Sequence, residues 1–504
     1  MKAHCSMVTD ERGGAAGIAA ACLWVLGGCA VGPPYTAPAA SVPAAFKETS
    51  PAARGAEPPG TWQPARPQDA ELKGKWWEMF EEPELDTLED QLNIDNQNIA
   101  QYFQNFMAAR AQVREARAGY FPTATLAPAA TRTGLGSVAE VASTNTGGTA
   151  SASTPGVTAN DFSLPFDVSW EPDLWGRIRN TVREYRAAAQ VSAADLENER
   201  LTEQADLAVY YFELRGQDAL QDLYDRTAAA DRESLALTRA LFETGVGGAE
   251  DVAAAEVTLA NAEAAAIGIA TNRAVYEHAI ATLIGKAASD FSMPVKILST
   301  PVPAIPVGVP SQLLQRRPDI AAAERTMAQA NALIGVETAA YYPTLNLTGS
   351  GGVQSPAIAQ LLTVPALVWS VGASASETIF DGGLRKATMA QYTAIYDADV
   401  AAYKQTVLNA FQQAEDGIAT LRVTSRQIAK QDAAVRSAQR YVDIATARYQ
   451  TGLDPYLDVI TARMILLGDQ QTLVTLRVGE IAAAVQLIQA LGGGWTVAQL
   501  PSVK

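Results

Sequence analysis

Two stretches of the chain repeat apolar residues at helical or heptad spacing, as in Leu207/Leu214 and Leu220/Leu223. Neither contains a proline, and both are rich in Ala, Leu, Gln, Glu and Arg. They predict continuous helices over about 177–244 and 384–451. At 1.5 Å per residue each extends roughly 100 Å. That is several times the width of a compact domain and implies a coiled-coil or tubular assembly. Ahead of each helix the period changes to two. Phe162, Leu164, Phe166, Val168 and Trp170 alternate with polar or small residues apart from Pro165, and Leu367, Trp369, Val371, Ala373 and Ala375 repeat the pattern. Strands are predicted at about 121–131 and 161–171, joined by a Gly/Ser/Thr/Ala loop at 132–160. A second pair is predicted at about 342–352 and 367–377, with a shorter loop at 353–366.

These blocks are two copies of one unit. Phe242-Glu-Thr-Gly245 through Asp251-Val252 aligns without gaps on Tyr449-Gln-Thr-Gly452 through Asp458-Val459, an offset of 207. Phe121-Pro122-Thr123 recurs as Tyr342-Pro343-Thr344, and Leu174-Trp-Gly176 answers to Phe380-Asp-Gly382. Spacing is kept where sequence is not: 69 residues separate Gly176 from Gly245 and 70 separate Gly382 from Gly452. Gly245 to Gly285 and Gly452 to Gly492 are both 40. Four strands cannot close a membrane barrel, and an open edge in lipid leaves N–H and C=O groups without partners. If the strands span a membrane, chains must associate, two giving eight strands and three giving twelve. The soluble alternative is two small hairpins packed on helices.

Composition narrows the function. The 504 residues carry 38 Lys+Arg against 54 Asp+Glu, a formal charge of −16. Without a basic block this balance argues against nucleic-acid binding, which rests on Lys/Arg displacing counterions. After residue 30 no run of eighteen uninterrupted apolar residues occurs, so no membrane-spanning helix is expected. The cysteines are Cys5, Cys22 and Cys29, the histidines His4 and His278. Loss of the first 28 residues would leave one of each, too few for an intrachain disulfide or a Cys/His zinc cage. No metal or catalytic residue is expected, and His278 reads as a partly exposed helix residue. Residues 15–28 are an apolar run of signal-peptide length ending at Leu26-Gly27-Gly28-Cys29, which resembles the bacterial lipoprotein signal. Cys29 is then the lipidation site, and the covalent N-terminal lipid the only attached group. Nine prolines among residues 30–67 read as an extended tether without a core.

Ile305-Pro-Val-Gly-Val-Pro through Arg316-Arg317-Pro318-Asp319-Ile320 and Glu324-Arg325, followed by Ala332-Leu-Ile-Gly335, closely resembles the TolC-like outer membrane factors, specifically the NodT-type efflux lipoproteins. Trp76-Trp77-Glu-Met-Phe80, Asp173-Leu-Trp-Gly176-Arg177 and Phe380-Asp-Gly-Gly383 are similar too. The resemblance implies an α+β membrane protein: a homotrimer whose four strands per chain build a twelve-stranded outer-membrane β-barrel, continued by a long periplasmic α-helical barrel. It implies a passive exit duct for drugs or other small toxic compounds, partnered by a periplasmic membrane-fusion adaptor and an inner-membrane pump. It places adaptor contacts at Thr244, Gly245, Val246, Thr451, Gly452 and Leu453. Asp458 matches a ring carboxylate of the channel gate and Leu457 an apolar ring residue. Tyr449 and Asp251 match a gate latch whose arginine position holds Asp454, so Asp454 is expected to repel Asp251. Thr461 stands where some members carry a second acidic ring. Residues 1–28 are then the leader, 29–75 the lipidated tether, 76–290 and 311–495 the two repeats, 291–310 the linker and 496–504 the tail. Arg316-Arg317-Pro318-Asp319 reads as a helix start, with Pro318 fixing the first turn. Two other readings are a periplasmic coiled-coil scaffold lipoprotein without a pore, and a wall glycosidase using paired carboxylates.

Overall fold

A computed structural model describes residues 31–39, 42–49, 74–135, 157–298, 300–308 and 310–500. The leader, Cys29, much of the tether, the centre of the first hairpin loop and the last four residues lie outside them. Seven helices longer than ten residues occur among the described residues. They are α1 (Pro83–Asp95), α2 (Gln97–Ala118), α3 (Arg177–Glu243), α4 (Ala249–Leu283), α5 (Pro318–Ala339), α6 (Leu384–Gln450) and α7 (Tyr456–Ala490). The strands are β1 (Thr123–Leu126), β2 (Ala129–Leu135), β3 (Val157–Trp170), β4 (Thr344–Ser355) and β5 (Leu367–Ser376).

The duplication is visible in length alone. Helices α3 and α6 are both 67 residues, and α4 and α7 both 35. The single-residue difference found from the glycines therefore lies in the turn before the helix. Gly176 alone is left-handed there in the first copy, whereas Gly382 and Gly383 both are in the second. Matching helix starts pairs Gly176 with Gly383, one residue away from the match to Gly382 made by motif.

Chain segments cluster into two units. The first, with described residues 31–36, 110–135, 157–187 and 328–398, holds one antiparallel sheet in the order β1-β3-β4-β5, with β2 also on β3. The predicted strand at 121–131 is two segments in one register, Thr123↔Ser169 and Ala129↔Ser163. The gap falls at Ala127-Pro128, where Pro128 has no N–H to give and Ala127 donates to the Pro165 carbonyl at 3.2 Å. Pro165 itself stays within β3 opposite Gly352, whose missing side chain makes room: a Cβ there would lie 2.3 Å from the Leu164 carbonyl oxygen. Strands reach further than predicted, to Leu135, Val157 and Ser355, because the small loop residues continue the ladder. Among the described residues no second layer covers β5 within the unit: Leu367, Trp369 and Val371 are exposed.

The second unit carries the main core. Trp76, Trp77 and Phe80 share a 3-10 turn and pack with Leu85 and Leu92 of α1, Tyr211 and Phe212 of α3, Ile280 of α4 and Val485 and Ile488 of α7. Buried Arg215 pairs with Glu84 and Asp218 and donates to the Pro294 carbonyl while its Nε stays without a partner, and Arg273 closes the network onto Asp218 and Glu277. Arg317 does more than precede a helix start. Beside Pro318, the first residue of α5, it pairs with Asp319 and donates to Gln413 and to the Ala490 carbonyl at the end of α7.

The reading of the tether is corrected at its described residues. The tether is tied down at its described points. Val31 donates to the Trp175 carbonyl at 3.0 Å and accepts from Asn180, and Gly32 sits against Gly335. Within the second unit Phe46 is buried, and the Lys47 and Glu48 amides both donate to the Glu415 carboxylate. Backbone N–H groups without a strand partner here find carbonyls and a carboxylate. Helices α4 and α7 are long and apolar enough to cross a membrane by length and composition alone. Ala255, Ala262 and Ala266 of α4 are buried while Val257, Ile267 and Val275 stay exposed, and α3 engages the charged residues of α4 through Arg232–Glu263 and Arg239–Glu256.

Candidate functional site

The turns joining α3 to α4 and α6 to α7 are built alike. Gly245 has φ +75° and Gly452 φ +72°, conformations glycine accepts without the Cβ penalty. Gly245 N donates to Phe242 O and Val246 N to Leu241 O; Gly452 N donates to Tyr449 O and Leu453 N to Arg448 O. These bonds satisfy the last carbonyls of each helix. The Thr244 hydroxyl donates back to Leu241 O and the Thr451 hydroxyl to Arg448 O, both at 2.9 Å. All six predicted contact residues are exposed at their turns, Val246 by 74% and Leu453 by 69%.

Behind the turns, Leu235 and Ala255 of the first copy share one apolar cluster with Val442, Ala445, Tyr449, Tyr456, Val459 and Ala462 of the second. Tyr449 packs on Tyr456 with ring centroids 5.1 Å apart, and the Tyr456 and Ser234 hydroxyls are hydrogen-bonded at 2.9 Å. Asp231, nearly fully buried, takes the Arg463 guanidinium at 2.8 Å, so α3 and α7 are joined by an ion pair and a hydroxyl pair, about one helical turn apart on α3 and two on α7.

The expected latch is not assembled. The buried Tyr449 hydroxyl has no hydrogen-bond partner, and Asp251 reaches it only as a nearby charge that, after burial itself, raises the phenol's pKa. Asp454 does not act as a free repelling charge either. It pairs with Arg448, the cation at the end of α6, at 2.8 Å, and that hydrogen bond holds the Asp454 carboxyl below the usual carboxylate range. Sequence reasoning passed over Arg448. The available signal was an arginine in the last helical turn, six residues before an aspartate across a glycine turn. Asp458 lies in the first turn of α7, half-buried, and adds a smaller attraction on Arg448. Leu457 is 66% exposed, and the Thr461 hydroxyl is turned back onto the Leu457 carbonyl at 2.8 Å. His278 is an exposed residue of α4. The turns thus present polar backbone and apolar tips outward, with one cation, Arg448, between two carboxylates.

Comparisons with known proteins follow this geometry. The sequence model of a family described as "Outer membrane efflux protein" matches residues 88–286 and 309–493, one segment for each copy. The antibiotic efflux pump outer membrane protein ArpC of Pseudomonas putida is 31% identical over 475 residues, 94% of each chain. The toluene efflux pump outer membrane protein TtgC of Pseudomonas putida is 30% identical over 475 residues, again 94% of each. Among solved structures, the outer-membrane channel OprN superposes with a TM-score of 0.82 at 27% identity, covering 93% of this chain and 100% of that one.

Proposed function

The chain belongs to the outer membrane efflux protein family and is an outer-membrane channel component of an efflux system, and from that premise we propose how it works. Three copies share their strands in one closed barrel and their long helices in one periplasmic tunnel, through which drugs or other small toxic compounds leave passively. An inner-membrane pump supplies the energy and a periplasmic adaptor joins it at the Thr244–Val246 and Thr451–Leu453 turns. The chain has no catalytic role. A diacylglyceryl group on Cys29 anchors it.

The observation that carries this reading is the sheet. Its outer strands each pair on one side only, and the apolar side chains of β5 stand open. A free edge of this kind is unstable in lipid and aggregation-prone in water. Closure with further copies removes both problems. Purified protein added to planar bilayers should give stepwise conductance, and liposomes carrying it should swell in small solutes. A pore-less scaffold would do neither. Mass spectrometry of the mature N-terminus tests the lipid: an unmodified Cys29, or a chain beginning elsewhere, overturns that assignment.

A further inference from the structure

Repetition within the chain supplies a template for a junction that lies between chains. At the β3–β4 junction, which joins the two copies, the turn after β3 lies beside the aromatic-Pro-Thr start of β4. Trp175 of that turn stacks on Tyr342, ring centroids 4.7 Å apart and planes 21° from parallel, and its indole N–H donates to the Pro343 carbonyl at 2.9 Å. At the sheet edges the corresponding parts stand exposed among the described residues. Phe380 matches Leu174 of the first copy rather than Trp175, but it is the one aromatic residue in the turn after β5 and is 88% exposed. Phe121, which matches Tyr342, is 69% exposed. Accepting the oligomeric barrel proposed above, we infer that β5 of one protomer pairs with β1 and β2 of the next in the register copied from β3 and β4, and that Phe380 stacks there on Phe121 of the neighbouring protomer.

The register follows from the two hairpins. Thr123 pairs with Ser169 as Thr344 pairs with Ser376, so β3 maps onto β5 with the same offset of 207 found between the helices. Copying the pairs Asp167↔Ser350 and Phe166↔Gly351 then sets Ser374 against Ala129 and Ala373 against Ala130 of the neighbour. Backbone direction provides an independent check. The Ala127 N–H points at β3. In an antiparallel ladder the N–H and C=O of successive residues alternate sides, so Leu126, Ala130, Arg132 and Gly134 point outward. Carrying the alternation across β3 and β4 leaves Trp369, Val371, Ala373 and Ala375 outward on β5. The copied register brings these two outward sets face to face. A slip of one residue would not.

Disulfide trapping tests this. Ser374 and Ala129 form a non-hydrogen-bonded pair, where side chains approach most closely. Membranes containing S374C/A129C, oxidised with copper phenanthroline, should give covalent multimers reversed by dithiothreitol, whereas each single variant should stay monomeric in denaturing gels. S374C/T131C and S374C/A127C, two residues out of register, should link at least tenfold less. Stronger linking of either shifted pair, or none from any pair in protein that conducts, overturns the register and leaves the duct reading standing. Protein that neither links nor conducts overturns both. For the aromatic contact, F380A and F121A should each lower the temperature at which detergent-resistant multimers dissociate, and the double variant should fall no further than the worse single. F242A, an exposed phenylalanine at the helix turn, should leave that temperature unchanged. Additive losses from F380A and F121A overturn the stacking.

Discussion

Removing the Arg463 side-chain charge should destabilise the paired helix ends far more than removing any neighbouring surface arginine. Asp231 is 4% exposed, and Arg463 reaches it at 2.8 Å while also donating to the Ala230 carbonyl. Arg463→Met keeps most of the aliphatic bulk but leaves the aspartate buried without its cation. Breaking a buried pair from one side costs about 3–5 kcal/mol, because a desolvated charge is left uncompensated. Arg232–Glu263 and Arg239–Glu256 join α3 to α4 with all four side chains roughly half exposed. Such pairs contribute no more than about 1 kcal/mol each. Thermal unfolding followed by circular dichroism in detergent should therefore rank Arg463→Met well below Arg232→Ala and Arg239→Ala. Adding Asp231→Asn should restore most of the loss, since a neutral amide tolerates burial better than an unpaired carboxylate. If Arg463→Met behaves like the two surface variants, or if the double variant is worse than the single, the buried pair is not what holds α3 to α7.

If the proposed threefold assembly gathers three Asp458 carboxylates at a constriction, Asp458→Ala should raise single-channel conductance and weaken block by multivalent cations; unchanged bilayer currents would refute that placement. Glu89 is fully buried with neither carboxylate oxygen hydrogen-bonded, and burial holds its pKa well above the ordinary range. The native state therefore binds this proton more readily than the unfolded chain. Its effect is least harmful below the ordinary carboxylate pKa, about 4.3, and stability falls by up to about 1.4 kcal/mol per pH unit as pH rises toward the raised value. Glu89→Gln should flatten that decline, and melting curves from acid to neutral pH that match the parent protein would refute it. Gly452→Ala meets no atom within 4 Å, so its cost is the left-handed backbone alone, about 1–2 kcal/mol. Gly452→Asn should lose less, and limited proteolysis at the turn should follow the same order.

Long-range regularity was the legible part of the sequence. Proline-free stretches and matched glycines located α3 and α6 almost to the residue, because helix periodicity is local and both glycines are required by φ. Pairing details were less legible. The break at Ala127-Pro128 depends on Pro165 lying opposite, and the ends at Leu135 and Val157 depend on Gly, Ala and Thr continuing a ladder that composition alone reads as loop. At the helix turns, resemblance singled out Tyr449, Asp251 and Asp454, and their contacts within the chain differ from those it implied. Arg448 decides where Asp454 points, and that choice is made between two side chains six residues apart, not by any periodic signal. The docked segment around Phe46 was missed because one phenylalanine among alanines and prolines carries little pattern; its anchor, Glu415, comes from the far repeat.

The matched helix lengths, 67 and 35 in each half, act as a ruler. One residue inserted in α3 would rotate everything beyond it by about 100° and carry it about 1.5 Å along the axis, moving buried alanines to water. Evolution has accordingly been free to edit the hairpin loops and the glycine turn, but not the stems. Any lineage that needed to bridge a wider envelope would have had to lengthen four stems together, in whole heptads.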